Sequence, residues 1–485
     1  MKGVRTQHPE YIAAAGQWKR ARDASEGEKA VHAAGEDYLT KLAEEEDRDY
    51  QKRKNRTPFF NATWRTIVGL RGMLFRKDPE IEAPAGVAGY FDDIDMAGTP
   101  LRSFAQRVVA EALTVGRIGV LVDHPQMVTA DGVTVQQAQS LGLRPTLQSY
   151  PAESIINWKT ERIGNATVLS LVVLAEESAI AGEDVFDHAY ETHYRVLDLV
   201  AGASGARIYR QRVFRVDDKG GDVQIGEDVF PTISGQSLPF IPFVIIGVDA
   251  VGPHIEEPPL IDLVDMNLHH YSVSADYEHG CHFSGLPTLF ISGYLPDTTG
   301  PGGGKIYIGG PTANCLPQPE SKAYFVEIQG EFNALHTNLE DKKAQMAVLG
   351  ARMLEVQRKG VESSETAAQH RKGEESQLAA MATTVGLGIA RALRWLSDWA
   401  GATGEVKFEL CREFLPVSMD AQELTALVGA WQSGAISGET LFDNLKRGEV
   451  VESDLTYEEE QARIGDAGPR LASPAVAPAV GAPAA

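Results

Sequence analysis

The side chains best suited to chemistry are concentrated in two short segments, of which the first is dense in potential zinc ligands. It contains His269, His270, His279, Cys281 and His282. Zinc needs four converging ligands, or three with one open position. A helix directs His269 and His270 to different faces, and the last three ligands are spaced too tightly to converge easily. Asp265 or Asp276 would have to complete the set, so the segment favours helix packing and subunit contacts, with a metal-dependent hydrolase as the alternative.

The second segment, residues 360–377, reads GVESSETAAQHRKGEESQ. His370 and Glu374 are four residues apart, a spacing that places both on one helix face, as an acid–base pair requires. The same residues are also typical of the N-terminus of a charged helix. Ser363 or Ser364 can cap it, and an acid follows in the first turn, where the helix dipole favours negative charge. Because the chain has no GxSxG, HRD or DFG pattern, we expect that replacing His370 abolishes no chemistry.

A glycine-rich stretch at 300–310, GPGGGKIYIGG, is similar to a phosphate-binding loop only in composition. A P-loop needs glycine five residues before Gly304 and Ser or Thr after the lysine. Those positions hold Thr299 and Ile306. The stretch is therefore predicted to be the tip of a hairpin.

The charge of the chain limits what it can bind. It has 485 residues, with 45 Lys and Arg against 67 Asp and Glu, a net charge of −22. Proteins that grip nucleic acid gain affinity by neutralising phosphates, so this balance argues against simple DNA binding but not against a conduit that lets DNA slide. Three cysteines without a CxxC pair indicate a reducing compartment. With neither a signal-peptide pattern nor a membrane-length apolar run, we expect a soluble protein that is not exported.

One segment departs from the acidic average. Residues 50–77 contain eight basic residues and no acid, and their pattern predicts one long helix over roughly 46–76. Such a face is typical of a contact with nucleic acid or a partner. A solvated face, with Ile67, Leu70 and Leu74 turned inward, is the favoured interpretation, and a nucleic-acid-binding module is the minor one.

The elements that position these residues predict an α+β protein. The first hundred residues are mostly helical in pattern, and six segments between 144 and 250 are rich in β-branched and aromatic residues, as strands are. Two long helices then bracket a small β element rich in glycine and proline. A further long helix runs to about 400, with Gly386 and Gly388 as its predicted kink. Shorter helices and a Pro/Ala tail, predicted to be disordered, complete the chain.

A basic connection between the long helices completes the set of candidate residues. GARMLEVQRKGVE at 350–362 contains Arg352, Arg358 and Lys359, with Gly350 and Gly360 at its ends. It is predicted to be a mobile loop that touches phosphates transiently. A plain connector with chance placement of its cations is an equally good interpretation.

The order of elements resembles that of tailed-bacteriophage portal proteins, ring-shaped channels of usually about twelve subunits at one capsid vertex. NATWRTIVGLRGMLFRKDP, SSETAAQHRKGEESQLAAMA and SGAISGETLFDNLKRGEVVESDLTYEEEQARI resemble a podophage-type branch of that family. The resemblance implies an α+β portal-like fold with these parts: wing 1–257, stem helix one 258–280, clip 281–328, stem helix two 329–349, tunnel loop 350–362, long wing helix and strand 363–414, helical crown 415–466, and tail 467–485.

The resemblance also implies roles. Arg352, Arg358 and Lys359 would face DNA from the tunnel loop, and Lys342 and Lys343 would line the channel wall. The clip would face the terminase large subunit during packaging and the head-to-tail adaptor afterwards. Major capsid and scaffolding proteins, and double-stranded DNA passing through, would be the other partners. The implied protein is a non-enzymatic homo-oligomer with no cofactor, metal or membrane contact, assembled in the host cytoplasm and carried in the virion at the portal vertex.

Overall fold

A computed structural model describes residues 3–124, 142–181, 184, 186–202, 205–284, 288–292, 320, 322–326, 332–351, 376–412, 414, 421–447, 450–451 and 455–467. It is 46% helical and 25% strand, which confirms the predicted mixture of helix and sheet. The chain divides into two compact units, Met1–Leu410 and Cys411–Ala485. None of the described helices has both the length and the apolar character needed to cross a membrane.

The first unit contains long helices around two sheets. Its described helices are α1 (Pro9–Glu26), α2 (Glu28–Ala34), α3 (Asp47–Arg56), α4 (Ala62–Leu74), α5 (Ala85–Ala88), α6 (Leu101–Val115), α7 (Ile261–Ser284), α8 (Asn333–Ala351) and α9 (Gln377–Trp399). Its described strands are β1 (Glu80–Glu82), β2 (Arg117–Asp123), β3 (Thr146–Pro151), β4 (Ile155–Ile163), β5 (Ala166–Ala181), β6 (His188–Ala201), β7 (Arg207–Val216), β8 (Asp222–Val229), β9 (Thr232–Ile233), β10 (Gln236–Ser237), β11 (Phe243–Gly247), β12 (Thr288–Ser292), β13 (Lys322–Val326) and β14 (Lys407–Glu409).

The basic segment 50–77 forms two helices, so the prediction of one long helix was wrong. Thr57, at the end of α3, has extended backbone with ψ 115°. Pro58 follows it, and proline disfavours helical backbone in the residue before it. A new helix, α4, then begins behind Asn61, whose side chain accepts a hydrogen bond from the Trp64 amide at 2.9 Å. The break lets the two helices pack in different directions.

Two antiparallel sheets share one core. β11, β2 and β3 form a three-stranded sheet in that order, and β4 to β8 form a five-stranded meander. Trp158, Tyr209 and Phe243 belong to the apolar cluster between the sheets. All six strand segments predicted between 144 and 250 are strands in the structure. β8, at the exposed edge of the meander, was missed because its sequence lacks the apolar content of a buried strand.

Arg117 begins β2 and is fully buried. Its guanidinium carbon lies 4.1 Å from the centre of the Trp158 ring, a cation–π contact. Within the described part of the chain none of its three guanidinium nitrogens has a hydrogen-bond partner. Burial lowers the pKa of Arg117 to about 10. This side chain therefore bears a desolvation cost that the aromatic ring and the charge of Glu10 offset in part.

The strands β5 and β6 extend past the rest of the meander. β4 pairs with β5 only as far as Leu174, and β7 pairs with β6 only from Tyr194 onward. Beyond those points β5 and β6 pair with each other, out to Ala181 opposite His188. Seven residue pairs follow Leu174, the first of them through Tyr194, which still pairs with β7; at ~3.3 Å each they make a ribbon of ~23 Å. We call residues 175–181 and 188–193 of this ribbon, with Asp184 and Phe186 near its turn, the arm.

The glycines predicted to kink the last long helix serve close packing instead. α9 runs continuously from Gln377 to Trp399 and packs on β11 and β14. A Cβ on Gly386 would lie 2.8 Å from the carbonyl oxygen of Phe408, and one on Gly388 would lie 2.5 Å from Ile246. Ser376, in extended backbone, caps the described helix by accepting a hydrogen bond from Ala379. The helix start predicted near 363 lies outside the described residues.

The second unit contains α10 (Ala421–Gln432), α11 (Gly438–Arg447) and α12 (Tyr457–Ala467). Two of these helices begin with a side-chain cap. Ser437 accepts a hydrogen bond from the Thr440 amide at 3.0 Å. Thr456 and Glu459 make a reciprocal capping box, with hydrogen bonds of 2.9 and 3.3 Å. These short-range hydrogen bonds satisfy amides that the first turn of a helix leaves unpaired.

Candidate functional site

Helices α7 and α8 pack against each other in antiparallel fashion. Near the far end, a Cβ on Gly280 would meet the ring of Phe332. In the middle, the rings of Tyr277 and His336 are 6.1 Å apart. Since residue numbers rise on one helix as they fall on the other, the chain runs out along α7 and back along α8. The pair β12 and β13, antiparallel to each other, lies in the connection. We call α7 and α8 the stem.

Within the described part of the chain, one stripe of α8 is covered. Leu339, Lys342, Met346 and Gly350 are buried, a spacing of three and four residues that marks one helix face. The opposite face is exposed, and it is largely small and polar: Ala334, Thr337, Asn338, Asp341, Ala344, Gln345 and Ala347. A helix covered on one side only leaves a long surface for a channel, a second copy or another partner.

Both ends of the stem nearest the sheets are attached to α4. On α7, the fully buried Asn267 accepts hydrogen bonds from the amides of Ala62 and Thr63 at 3.1 Å each. It also donates to the carbonyl oxygen of Phe60 at 2.8 Å. On α8, Gly350 lies so close to Thr66 that a Cβ there would approach it to 3.0 Å. Sequence reasoning missed Asn267, although a lone amide inside an apolar helix face was a signal for it.

Lys342 lies in the interface between the two stem helices. It is 9% exposed, and its Nζ is 3.4 Å from His269 Nδ1. Within a single chain its ammonium group therefore points toward α7 and not into open solvent. Lys342 is a packing residue of the stem in this structure.

Lys343 lies at the edge of the exposed face of α8. It forms a salt bridge of 2.8 Å with Glu340, one turn earlier. This hydrogen bond with Lys343 holds the pKa of Glu340 below its ordinary range. The ammonium also lies 5.6 Å from the centre of the Phe60 ring. With its charge matched by a neighbour, Lys343 presents only a weak site for phosphate.

His270 is buried at the base of the stem, 4% exposed, with its ring 5.8 Å from that of Phe60. Neither ring nitrogen has a hydrogen-bond partner among the described residues. Burial, and then the nearby ammonium groups of Lys343 and Lys342, hold the pKa of His270 below its ordinary value. The histidine is therefore neutral at neutral pH and belongs to the packing between α7, α8 and the start of α4.

The five potential zinc ligands of 269–282 all lie on α7. His269 contacts the stem partner, and His270 faces the stem base. In the described part of the chain, no three His, Cys, Asp or Glu side chains come together as a metal site would require. The spacing along one helix spreads these side chains around its circumference, so the geometry gives the hydrolase alternative no support.

The remaining predicted site residues lie outside the described part of the chain. These are Arg352, Arg358 and Lys359 of the predicted tunnel loop, together with the pair His370 and Glu374. The hairpin tip predicted at 300–310 also lies there. α8 ends at Ala351, immediately before the first of these cations. Their facing toward DNA stays a prediction.

The cations of the basic segment 50–77 have different surroundings in the fold. Arg53 is 3% exposed and makes two hydrogen bonds of 2.7 and 2.8 Å to Glu45. On α4, Arg71 lies 5.7 Å above the Trp64 ring, beside a cleft of about 570 Å³ between α1, α4 and α6. Ile67, Leu70 and Leu74 are buried, as the inward-facing interpretation predicted. The exposed face of α4 is thus both basic and aromatic.

Comparison with known proteins adds one family and several structures. A family described as a domain of unknown function, DUF4055, matches residues 259–400, from the start of the stem to the end of α9. That is less than a third of the chain. No curated protein matches the chain.

Among solved structures, the neck of a native gene transfer agent particle, computed with C12 symmetry, matches 79% of this chain and 89% of its own. The identity is 11% and the TM-score 0.36. The virion of the native gene transfer agent matches with 11% identity and a TM-score of 0.37, covering 86% of this chain and 97% of that one. TM-scores in this range do not establish a common fold.

Proposed function

We propose that this chain is the subunit of a portal, a ring-shaped channel at one vertex of a phage capsid through which DNA is packaged and later ejected. The observation that carries the proposal is the stem. Two antiparallel helices are anchored to the rest of the first unit at α4 and joined through a β pair, and within the described residues one face of α8 is exposed. A ring of such stems has helices whose bare faces line a passage or contact the neighbouring copy.

The electrostatics suit a conduit. DNA that moves through a channel must break every contact it makes, so strong phosphate sites would slow it. The exposed face of α8 carries Glu340 and Asp341 against one cation, Lys343, which is already paired with Glu340. The chain as a whole carries −22. Such a wall repels phosphate and offers few places to hold it.

The residue roles follow from this assignment. The exposed face of α8, including Lys343, is the proposed channel wall, whereas Lys342 secures the two stem helices to each other. Arg352, Arg358 and Lys359 follow α8 directly and are the proposed transient DNA contacts of a tunnel loop. The β12 and β13 end of the stem is the proposed docking face for the terminase large subunit and then the head-to-tail adaptor. The other proposed partners are the capsid and scaffolding proteins, in the virion.

Imaging the purified protein tests the proposal. One chain has a mass of 52.5 kDa. We expect electron micrographs to show rings with a central hole, and native mass spectrometry to give a closed oligomer of about twelve copies, or roughly 630 kDa. A protein that stays monomeric at every concentration and salt tested would refute the proposal.

The loop cations have a test of their own. Arg358→Gln/Lys359→Gln should form normal rings but package or retain less DNA, because two transient phosphate contacts per subunit are lost. Lys54→Gln/Lys77→Gln, which removes two cations from the segment 50–77, is the matched control and should package normally. Equal packaging by both double variants would remove the loop cations from the mechanism.

A further inference from the structure

The arm exposes apolar side chains at the end of a projecting ribbon. Phe186 is 88% exposed, Tyr190 65% and Ile180 40%. Exposed large apolar side chains that occur singly are ordinary. Here Phe186 near the turn and Tyr190 on β6 are both exposed at one tip, whereas Ile180, paired with Ala189, lies on the face opposite Tyr190. No third strand flanks this part of β5 and β6 among the described residues. The tip therefore carries contact surface that its own core does not use.

The same ribbon is strongly acidic. From Glu176 to Tyr194 the sequence contains six Asp and Glu residues and no Lys or Arg. Glu177 is exposed, and Glu191, on the opposite face of the ribbon, is half-buried in contact with His193 at 2.6 Å. A partner for the arm must therefore offer both apolar surface and positive charge.

The cleft between α1, α4 and α6 has that composition. Trp64 and Val68 on α4 are 41% and 38% exposed, one turn apart on one helix face. Trp64 lines the cleft, whereas Val68 lies one turn beyond the lining residues. Arg22, Arg71 and Arg107 line it with the acids Glu26 and Glu111, so its lining has one positive charge in excess. Neither Arg71 nor Arg107 forms a salt bridge within the described ranges, whereas Arg22 in the cleft is already held by Glu111 and Glu153. Two arginines thus remain available beside an exposed aromatic ring.

We propose that the arm of one copy docks into the α1/α4/α6 cleft of the next copy in the ring. The partner is a second copy because the two surfaces are complementary within one sequence, apolar and acidic against apolar and basic. Cyclic rings are built from such heterologous contacts, in which two different patches of the same chain meet. This inference rests on the proposed function, since it assumes that the chain forms a ring.

The geometry of the arm favours this use. A ribbon of ~23 Å reaches beyond the five-stranded sheet that supports it. Its base is fixed by Glu176, which hydrogen-bonds to Tyr150 at 2.6 Å and to Arg195 at 2.8 Å. A rigid base limits the entropy lost when the tip docks.

Charge reversal with rescue tests the contact in the full-length protein. Glu177→Lys/Glu191→Lys reverses the arm, and Arg71→Glu/Arg107→Glu reverses the cleft. We expect each double variant to raise the protein concentration needed for ring assembly by about tenfold or more. Combining all four changes should restore assembly in part. Asp218→Lys/Glu227→Lys, on the exposed turn and strand at the other end of the meander, changes the net charge equally and should assemble as wild type does.

The apolar part of the contact has a separate test. Phe186→Ser leaves the charge unchanged and lies outside the core, so it should weaken assembly while unfolding at the wild-type denaturant concentration. A disulfide between Tyr190→Cys and Val68→Cys, formed in the assembled protein, should link chains into a ladder of oligomers.

The outcomes separate the two proposals. Wild-type protein that forms no ring refutes the portal assignment itself. Rings that form normally in both reversed variants refute the arm contact alone, as does loss of assembly that the fourfold variant does not restore. If the arm variants form normal rings but those rings are not incorporated into capsids, the arm binds a capsid or scaffolding protein instead of the next copy.

Discussion

Replacing Gly386 with alanine isolates the effect of close packing between α9 and its neighbours. The new Cβ would lie 2.8 Å from the carbonyl oxygen of Phe408, a backbone atom at the centre of β14. Because this oxygen belongs to backbone, it cannot rotate away as a side chain does. Forcing extra volume into a packed site typically costs ~1–3 kcal/mol. Against that, alanine in a helix interior is favoured over glycine by ~0.5–1 kcal/mol.

Gly16→Ala provides the matched control. Gly16 lies inside α1, and a Cβ there would meet nothing within 4 Å. This variant should gain only the helix-propensity term, so it should be more stable than wild type by ~0.5–1 kcal/mol. The propensity term cancels when the two variants are compared. The difference of ~1–3 kcal/mol between them then measures the overpacking against Phe408.

Chemical denaturation measures both variants. Stability depends on concentration if the chain assembles, so all samples need the same protein concentration and the same assembly state. We expect the Gly386→Ala midpoint to fall below that of Gly16→Ala at equal denaturant sensitivity. If Gly386→Ala stabilises the protein as much as Gly16→Ala does, α9 does not approach β14 as closely as described and the reasoning is wrong.

Three further variants test buried charges and polar groups. The pKa of His270 is lowered from its ordinary 6.5 in the folded protein, so acidification below that value protonates the unfolded chain preferentially and lowers stability. His270→Leu should therefore reduce the fall in melting temperature between neutral and mildly acidic pH. A fall equal to that of wild type would contradict this. Arg53→Met leaves the buried Glu45 without its partner and should cost ~3–5 kcal/mol, whereas adding Glu45→Met should recover most of that loss in a denaturation cycle. Arg117→Met removes a buried cation whose desolvation is offset by Trp158 and by the charge of Glu10, so its denaturation midpoint should equal or exceed that of wild type. A large loss of stability would show that these two interactions outweigh the desolvation cost.

Local sequence signals were sufficient at several sites where the controlling interaction is short-range, although the break at Thr57 and Pro58 is equally local and was missed. The capping box at Thr456 and the cap at Ser437 depend on hydrogen bonds between residues three apart, so their letters predict them. The apolar runs of β2 and β11 likewise predict buried strands, because burial on both sheet faces requires such residues. The inward-facing residues of α4 follow from helical periodicity. Composition and periodicity also predicted the mixed α+β class.

The roles of the two glycines of α9 and of the two adjacent lysines of α8 depend on long-range packing, which the sequence does not show. Gly386 and Gly388 are the same residue type whether a helix kinks or approaches a neighbour, and only the positions of Phe408 and Ile246 show that close approach is their use. Lys342 and Lys343 are adjacent, yet one is buried against α7 and the other pairs with Glu340 on the surface. A helix turns ~100° per residue, so the neighbouring helix determines which lysine is covered.

The sequence by itself determined the acidic charge, the mixture of helices and strands, and the local caps, since each depends on residue type and short spacing. Only the tertiary structure placed the potential zinc ligands around α7 without convergence, anchored the stem through Asn267, and left the arm projecting with Phe186 exposed. The physical reason is that burial and pairing belong to contacts between residues distant in the chain. Spacing along one segment carries no information about them.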